Sequence, residues 1–267
     1  MDRIDLRMLQ LLRQRSKLSA RIGAAKRRHG AVVYVPERER ELMARLLRLS
    51  KGRPSTQAVA AVYREILSSS RAEQGQGAIG LLQASADVVL PAGRKSFGAC
   101  DRFAPGKSWR ALVKGFESGV LSLALLTGAE LAAILVSASN RREFADKWFV
   151  AGEIAAPAKG KPLVSQRIFI ITPRPACLPR TASRILILIE CKSTVNAIKS
   201  LLHAMPEMTF HAELLGRTGA QTTVALLKQA RSGDASRLTR RVFAAGKTAG
   251  LAVTLLGIYP AIEDYGG

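Results

Sequence analysis

The chain has 267 residues, 48% of them hydrophobic and 23% charged, with a formal net charge of +21. The length leaves room for two or three compact units. The excess of lysine and arginine is scattered through every segment, with few aromatics and no helix-turn-helix, RNA-binding signature or zinc spacing. It therefore argues for an anionic small molecule over nucleic acid.

Cys100, Cys177 and Cys191 have neither paired nor metal-like spacing, and His29, His203 and His211 stand far apart, so free thiols and no metal or other cofactor are expected. Residues 1–28 are charged throughout, unlike an export signal, and the apolar run 120–136 is broken by Gly128 and Glu130. A cytoplasmic protein is expected.

The first helix carries Ile4, Met8, Leu11, Leu12, Leu18 and Ile22 at the three-or-four step, and Arg15 and Lys26 lie on the same stripe. A cation facing a core needs an anion there, because a desolvated unpaired ion costs several kcal/mol. This stripe reads as an anionic ligand site inside a helical bundle. On the spacing of this helix alone, Arg15 could equally snorkel from the stripe edge or pair with an internal carboxylate.

In the stretch VYVPERERE, Pro36 starts a second helix, with Glu37, Arg38 and Glu39 in its first turn and Leu42, Leu46 and Leu49 on one face. The third helix, over residues 56–74, places Val59, Val62, Ile66, Ser70 and Gln74 in one row that turns polar at its end. A hydroxyl and an amide there face the pocket expected around Arg15 and Lys26. The solvated alternatives are that Arg38 is a first-turn surface charge and that Ser70 ends a helix within the run Ser68-Ser69-Ser70.

Through DRIDLRMLQLLRQRSKLSARIGAAK, VYVPERERE and YREILSSSRAEQ, in this order and spacing, residues 1–74 resemble the all-helical chorismate mutases. The likeness is greatest to those at the N-terminus of bifunctional chorismate mutase/prephenate dehydratases. The resemblance implies an intertwined homodimer with three helices per chain that rearranges chorismate to prephenate. It also implies the roles: Arg15 clamps a carboxylate, while Lys26 reaches a carboxylate and the ether oxygen, to which Gln74 also donates. Glu39 holds the ring hydroxyl, Arg38 shapes the anionic mouth, and Ser70 bonds the ring carboxylate.

Two positions depart from the family pattern. Val35 stands where many relatives carry an acidic residue, so the hydroxyl relies more on Glu39. Relatives also carry an arginine three residues before the position of Met1, reaching into the partner subunit's site. The expectation is an N-terminal extension of the native protein; the alternatives are substitution by Arg3 or Arg7, or an impaired enzyme.

Glycines in the stretch 75–80 mark the end of the helical segment. An α/β region is expected over 78–175: strand 87–90, helix 108–117, strand 121–126, helix 130–135, and strands 149–154 and 167–172. It resembles the region that follows the mutase in prephenate dehydratases, in degenerate form. The threonine-arginine-phenylalanine signature of that family would fall at 166–169, which reads Gln-Arg-Ile-Phe. Arg167 is either a remnant or a solvated residue at a strand start.

Residues 183–262 read as strand 185–191, helix 195–205, strand 209–215, strand 222–228, helix 235–246 and strand 251–259, the βαββαβ order of a ferredoxin-like fold. The closing LLGIYP resembles the end of an ACT regulatory domain, which implies an aromatic amino-acid effector. The stretch KSTVNAIKSLL lacks the proline-glycine lead-in often used there. Two function classes follow: a chorismate mutase, alone or bifunctional with a dehydratase, and a noncatalytic protein that senses anions or amino acids.

Overall fold

The computed structural model describes residues 1–30, 32–154, 167–175, 178–190, 194–205, 210–217 and 222–260. These fall into two compact units, one built from Met1–Gln83 and Leu90–Leu123, the other from Ala84–Val89 and Ala124–Glu263.

In the first unit, helix α1 spans Asp2–Arg28, with Asp2 and Asp5 in its first turn and Lys26, Arg27 and Arg28 in its last, charges that complement the helix dipole. Helix α2 (Pro36–Ser50) starts on Pro36, whose missing N–H is one that no helix satisfies. Helix α3 (Thr56–Glu73) is capped by Ser55, whose hydroxyl accepts from Ala58 N at 3.2 Å. Both α1 and α2 pack on α3. Gly23 of α1 lies close against the C-cap of α3: a Cβ there would stand 2.5 Å from the Gln74 backbone.

Helix α1 differs from the buried stripe expected of it. Only Ser19 and Gly23 of its residues are buried, while Ile4, Met8, Leu11, Leu12, Leu18 and Ile22 are all exposed in the single chain.

After Gly75, whose φ of +77° ends the helical run, strand β1 (Ala78–Leu82) leads into helix α4 (Ala86–Phe97). The strand expected at 87–90 is therefore helical. Val89, Ala92 and Phe97 are buried at helical spacing, and that pattern overrides the β propensity of the Val88-Val89 pair. Strand β1 escaped the sequence reading because Ala78, Ile79, Gly80 and Leu81 are all buried, which leaves no alternation to detect.

Strand β2 (Phe103–Gly106) pairs parallel with β1, and helix α5 (Trp109–Glu117), capped by Ser108, packs on both. Strand β3 (Leu121–Thr127) closes the unit and continues into the second.

In the second unit, Thr127 and Glu130 form a reciprocal capping box at the start of helix α6 (Gly128–Val136), followed by helix α7 (Ala138–Lys147). Strands β4 (Trp148–Ile154) and β5 (Ile168–Pro173) pair antiparallel, and β5 also pairs antiparallel with the end of β3.

Strand β6 (Thr181–Glu190), helix α8 (Thr194–His203), strands β7 (Phe210–Arg217) and β8 (Thr222–Asp234), helix α9 (Ala235–Thr248) and strand β9 (Ala252–Tyr259) complete the chain. Their strands lie in the order β9-β6-β8-β7, all antiparallel, with β9 also meeting β4. Alternate residues Ile185, Ile187 and Ile189 of β6 pack with Leu201 of α8, Leu227 of β8 and Leu238 and Val242 of α9. These alternate side chains share one face of the strand, while Leu186 and Leu188 between them are buried as well. No helix among the described residues is long and apolar enough to cross a membrane.

Candidate functional site

The long α1 carries Arg15 and Lys26 about three turns apart, Arg15 reaching α3 and Lys26 the α1–α2 connection. Arg15 donates to Ile66 O at 3.1 Å, and Ser70 Oγ donates to the same carbonyl at 2.8 Å, so α3 brings these two side chains together. Lys26 Nζ donates to Val33 O at 2.8 Å in the α1–α2 connection. Burial lowers the pKa of both cations, and the charge of Glu39 pulls each back up. Both basic groups therefore feel the charge of one carboxylate, in the first turn of α2.

Glu39 itself is gripped from α3. Arg71 Nη1 donates to both of its oxygens, at 2.9 and 2.7 Å. Arg71 Nη2 donates to Asp101 Oδ2 at 2.7 Å and to Phe97 O at 2.6 Å, and Nε donates to Asp101 Oδ1 at 3.3 Å. The Arg71 and Asp101 side chains are 4% and 3% exposed.

Two aromatic rings stand beside the guanidinium, with Arg71 Cζ 5.9 Å from the Tyr34 centroid and 5.5 Å from that of Phe97. Burial pushes the Tyr34 hydroxyl well above its ordinary pKa, which keeps it neutral. Burial also raises the Glu39 carboxyl and the Asp101 charge adds to this, while the charge and hydrogen bonds of Arg71 oppose it. Burial alone would weaken the Arg71 cation, but the bonds and charges of Asp101 and Glu39 leave its pKa raised.

The remaining expected residues lie close by, with different surroundings. Gln74 caps α3, is half-buried, and its carbonyl accepts from Arg27 Nη1 at 2.9 Å. Its backbone abuts Gly23, one turn before Lys26 on the same face of α1. Arg38 is exposed, in keeping with a solvated first-turn charge, although it helps lower the Lys26 pKa. Ser70 is buried, not a frayed helix end.

The sequence reading missed Arg71 and Asp101. Arg71 had a faint signal, since Glu65, Ser68 and Arg71 recur every three residues on α3. Asp101 had none, because its partner Ser68 lies 33 residues away in the chain.

In the second unit, Arg167 is not a solvated strand-start residue. It donates to Glu153 Oε2 at 3.0 Å with its side chain 18% exposed, and Arg184 Nε stands 3.6 Å from the other Glu153 oxygen. Position 166 of the sought signature lies outside the described residues, as do Cys177 and Cys191; Cys100 is exposed.

Residues 1–75 match the family model of chorismate mutase type II. A bifunctional chorismate mutase/prephenate dehydratase from Aquifex aeolicus (strain VF5) is 35% identical over 108 residues, 39% of this chain and 30% of that protein. The match thus spans less than a third of the relative's length.

Among solved structures, one described as GqqA, a novel type of quorum quenching acylase, aligns at a TM-score of 0.47 and 17% identity, covering 69% of this chain and 94% of its own. Prephenate dehydratase from Streptococcus mutans aligns at 0.44 and 13%, covering 70% and 100%. The chain carries a chorismate mutase type II domain at its N-terminus.

Proposed function

We propose that the chain is a chorismate mutase, rearranging chorismate to prephenate in aromatic amino-acid biosynthesis in the cytoplasm, at a site built from α1, α2 and α3. The observation that carries this reading is the meeting of Arg15 and Ser70 at the Ile66 carbonyl, with the Glu39 charge acting on both Arg15 and Lys26, within the segment matched by the family.

The reaction is an intramolecular pericyclic shift that needs no nucleophile and no cofactor. Catalysis comes from holding the folded near-attack conformer and stabilising the charge that grows on the breaking ether bond. Arg15 has the planar fork suited to one substrate carboxylate, which takes the place of the Ile66 carbonyl. Lys26 exchanges the Val33 carbonyl for a carboxylate and the ether oxygen, with Gln74 donating to that oxygen. Glu39 accepts from the ring hydroxyl, Ser70 bonds the ring carboxylate, and Arg38 draws the dianion to the mouth.

The exposed apolar side chains of α1 support a homodimer formed through the helical domain, since an uncovered stripe of this length is expected to associate. In the proposed domain division, residues 1–74 form the mutase, 78–175 a degenerate dehydratase-like region and 183–262 an ACT-like domain. The 108-residue similarity, longer than the 75-residue family segment, supports continuation beyond the mutase. The β9-β6-β8-β7 order supports the ferredoxin-like reading of the last part, and with it an aromatic amino-acid effector.

Chorismate disappearance, followed by product identification with and without acid, tests the proposal. Prephenate that becomes phenylpyruvate only after acid is expected. Phenylpyruvate without acid would establish the bifunctional enzyme that the relative's name suggests. No turnover would overturn the mutase and leave a sensor of anions.

A further inference from the structure

We propose that Arg71 and Asp101 are positioning residues for Glu39: the segment Phe97–Asp101 holds the Arg71 guanidinium so that it orients the Glu39 carboxylate and keeps it charged. The consequence for turnover rests on the mutase reading; the coupling among the three residues does not.

The guanidinium is planar, so fixing its plane fixes the direction of every N–H it carries. Nε and Nη2 form a fork on the two Asp101 oxygens, and Nη2 also meets Phe97 O, so the plane of the group is held at three points. That aims Nη1 at Glu39. A lysine could not do this, since its ammonium is a point charge without a fork.

Asp101 is fixed in turn. Ser68 Oγ donates to it at 2.7 Å and Gln76 Nε2 at 3.1 Å. Its segment is tied to α3 by Ala99 N donating to Glu65 at 2.8 Å and by Cys100 N donating to Ser68 Oγ at 3.0 Å.

Glu39 keeps capacity for a ligand. A carboxylate has about four lone-pair sites, and Arg71 occupies one on each oxygen, which leaves acceptors for a hydroxyl. Asp101 lies beyond the residues matched to the mutase family, so a downstream segment conditions the mutase site.

The charged and titratable groups facing Glu39 are Arg15 and Lys26 of α1, Tyr34 of the α1–α2 connection, Arg71 of α3 and Asp101. Two of them act with opposite sign: Arg71 favours ionisation of Glu39, and Asp101 disfavours it.

The test is a carbon-13 NMR titration of the full chain labelled at glutamate carboxyls, with the Glu39 signal identified by its loss in Glu39→Gln. Arg71→Gln is expected to raise the Glu39 midpoint; loss of the Asp101 charge alone would lower it, so a rise in Asp101→Asn as well, with the acid limb of chorismate turnover following, reports that the freed guanidinium has lost its grip on Glu39. A midpoint in Asp101→Asn equal to or below that of the parent chain overturns the proposal. Because this variant is nearly isosteric, it decides the matter even if Arg71→Gln does not fold. Shifted midpoints in a chain that never turns over chorismate would support the coupling and overturn the mutase reading. Turnover with unshifted midpoints would do the reverse.

Discussion

Arg71 holds Glu39 through a single nitrogen, Nη1, which donates to both carboxylate oxygens at 2.9 and 2.7 Å. The arrangement reconciles two demands on a polar site in a small helical unit. A buried cation needs anions, and losing one partner of a buried pair costs about 3–5 kcal/mol. A carboxylate that meets substrate must nevertheless keep free acceptor sites. Sharing one guanidinium between Asp101, 3% exposed, and Glu39, 25% exposed, meets both.

Lys26→Ala should separate catalysis from folding. The variant loses one hydrogen bond to the Val33 carbonyl, worth about 1 kcal/mol of stability. If Lys26 stabilises the developing charge on the ether oxygen, kcat should fall by about two to three orders of magnitude. Steady-state kinetics beside urea denaturation check this, and unchanged turnover would reject the assignment of Lys26.

Turnover should follow a bell-shaped pH profile. Burial raises Glu39, so the acid limb should lie above the ordinary carboxylate range; burial lowers Lys26, so the alkaline limb should lie below the ordinary lysine value. The sign for stability follows from proton linkage. Folded Glu39 holds its proton more tightly than the unfolded chain does, so its contribution to stability falls as pH rises from the ordinary carboxylate range through the raised folded value. Glu39→Gln should abolish both the acid limb and this slope, which kinetics and denaturation across pH would measure.

Gly23→Ala tests how closely α1 approaches α3. Alanine favours a helix interior by up to about 1 kcal/mol over glycine. Here its Cβ would stand 2.5 Å from Gln74 Cα and from Gln74 O, backbone that no rotamer change can move. Overpacking costs about 1–3 kcal/mol, so a net loss is expected. A fall in thermal midpoint together with weaker chorismate turnover would agree, and a rise in midpoint would refute the close approach.

The exposed face of α1 should be covered in solution. Its 27 residues span about 40 Å at 1.5 Å per residue, and Leu11 and Leu12 are 53% and 43% exposed. Light scattering should give twice the chain mass, and Leu11→Glu should shift the protein toward monomer. A monomeric parent chain would contradict the dimer.

Much of the molecule was legible in the chain. Periodicity marked the three helices, and two of them have a sharp start or stop: Pro36 opens α2, Ser55 caps α3, and Gly75 ends it with a positive φ. The same held for α5, behind the Ser108 cap, and for the order of strands and helices from β6 to β9. The residues 87–90 were misread because the three apolar positions Val88, Val89 and Leu90 cannot distinguish a strand from a buried helix turn, and the spacing out to Phe97 decided for the helix.

By itself, then, the sequence determined the three N-terminal helices, which cations share a stripe with apolar residues, and which family the first 75 residues match. These are local or short-period properties, carried by spacing and by residue chemistry. Only the tertiary structure decided that Arg15 and Ser70 meet at the Ile66 carbonyl, that α1 presents its apolar residues to solvent in one chain, and that Arg71 joins Glu39 to Asp101. The physical reason is separation along the chain: Glu39 and Asp101 stand 32 and 30 residues from Arg71, and a fork of hydrogen bonds between them has no period to betray it.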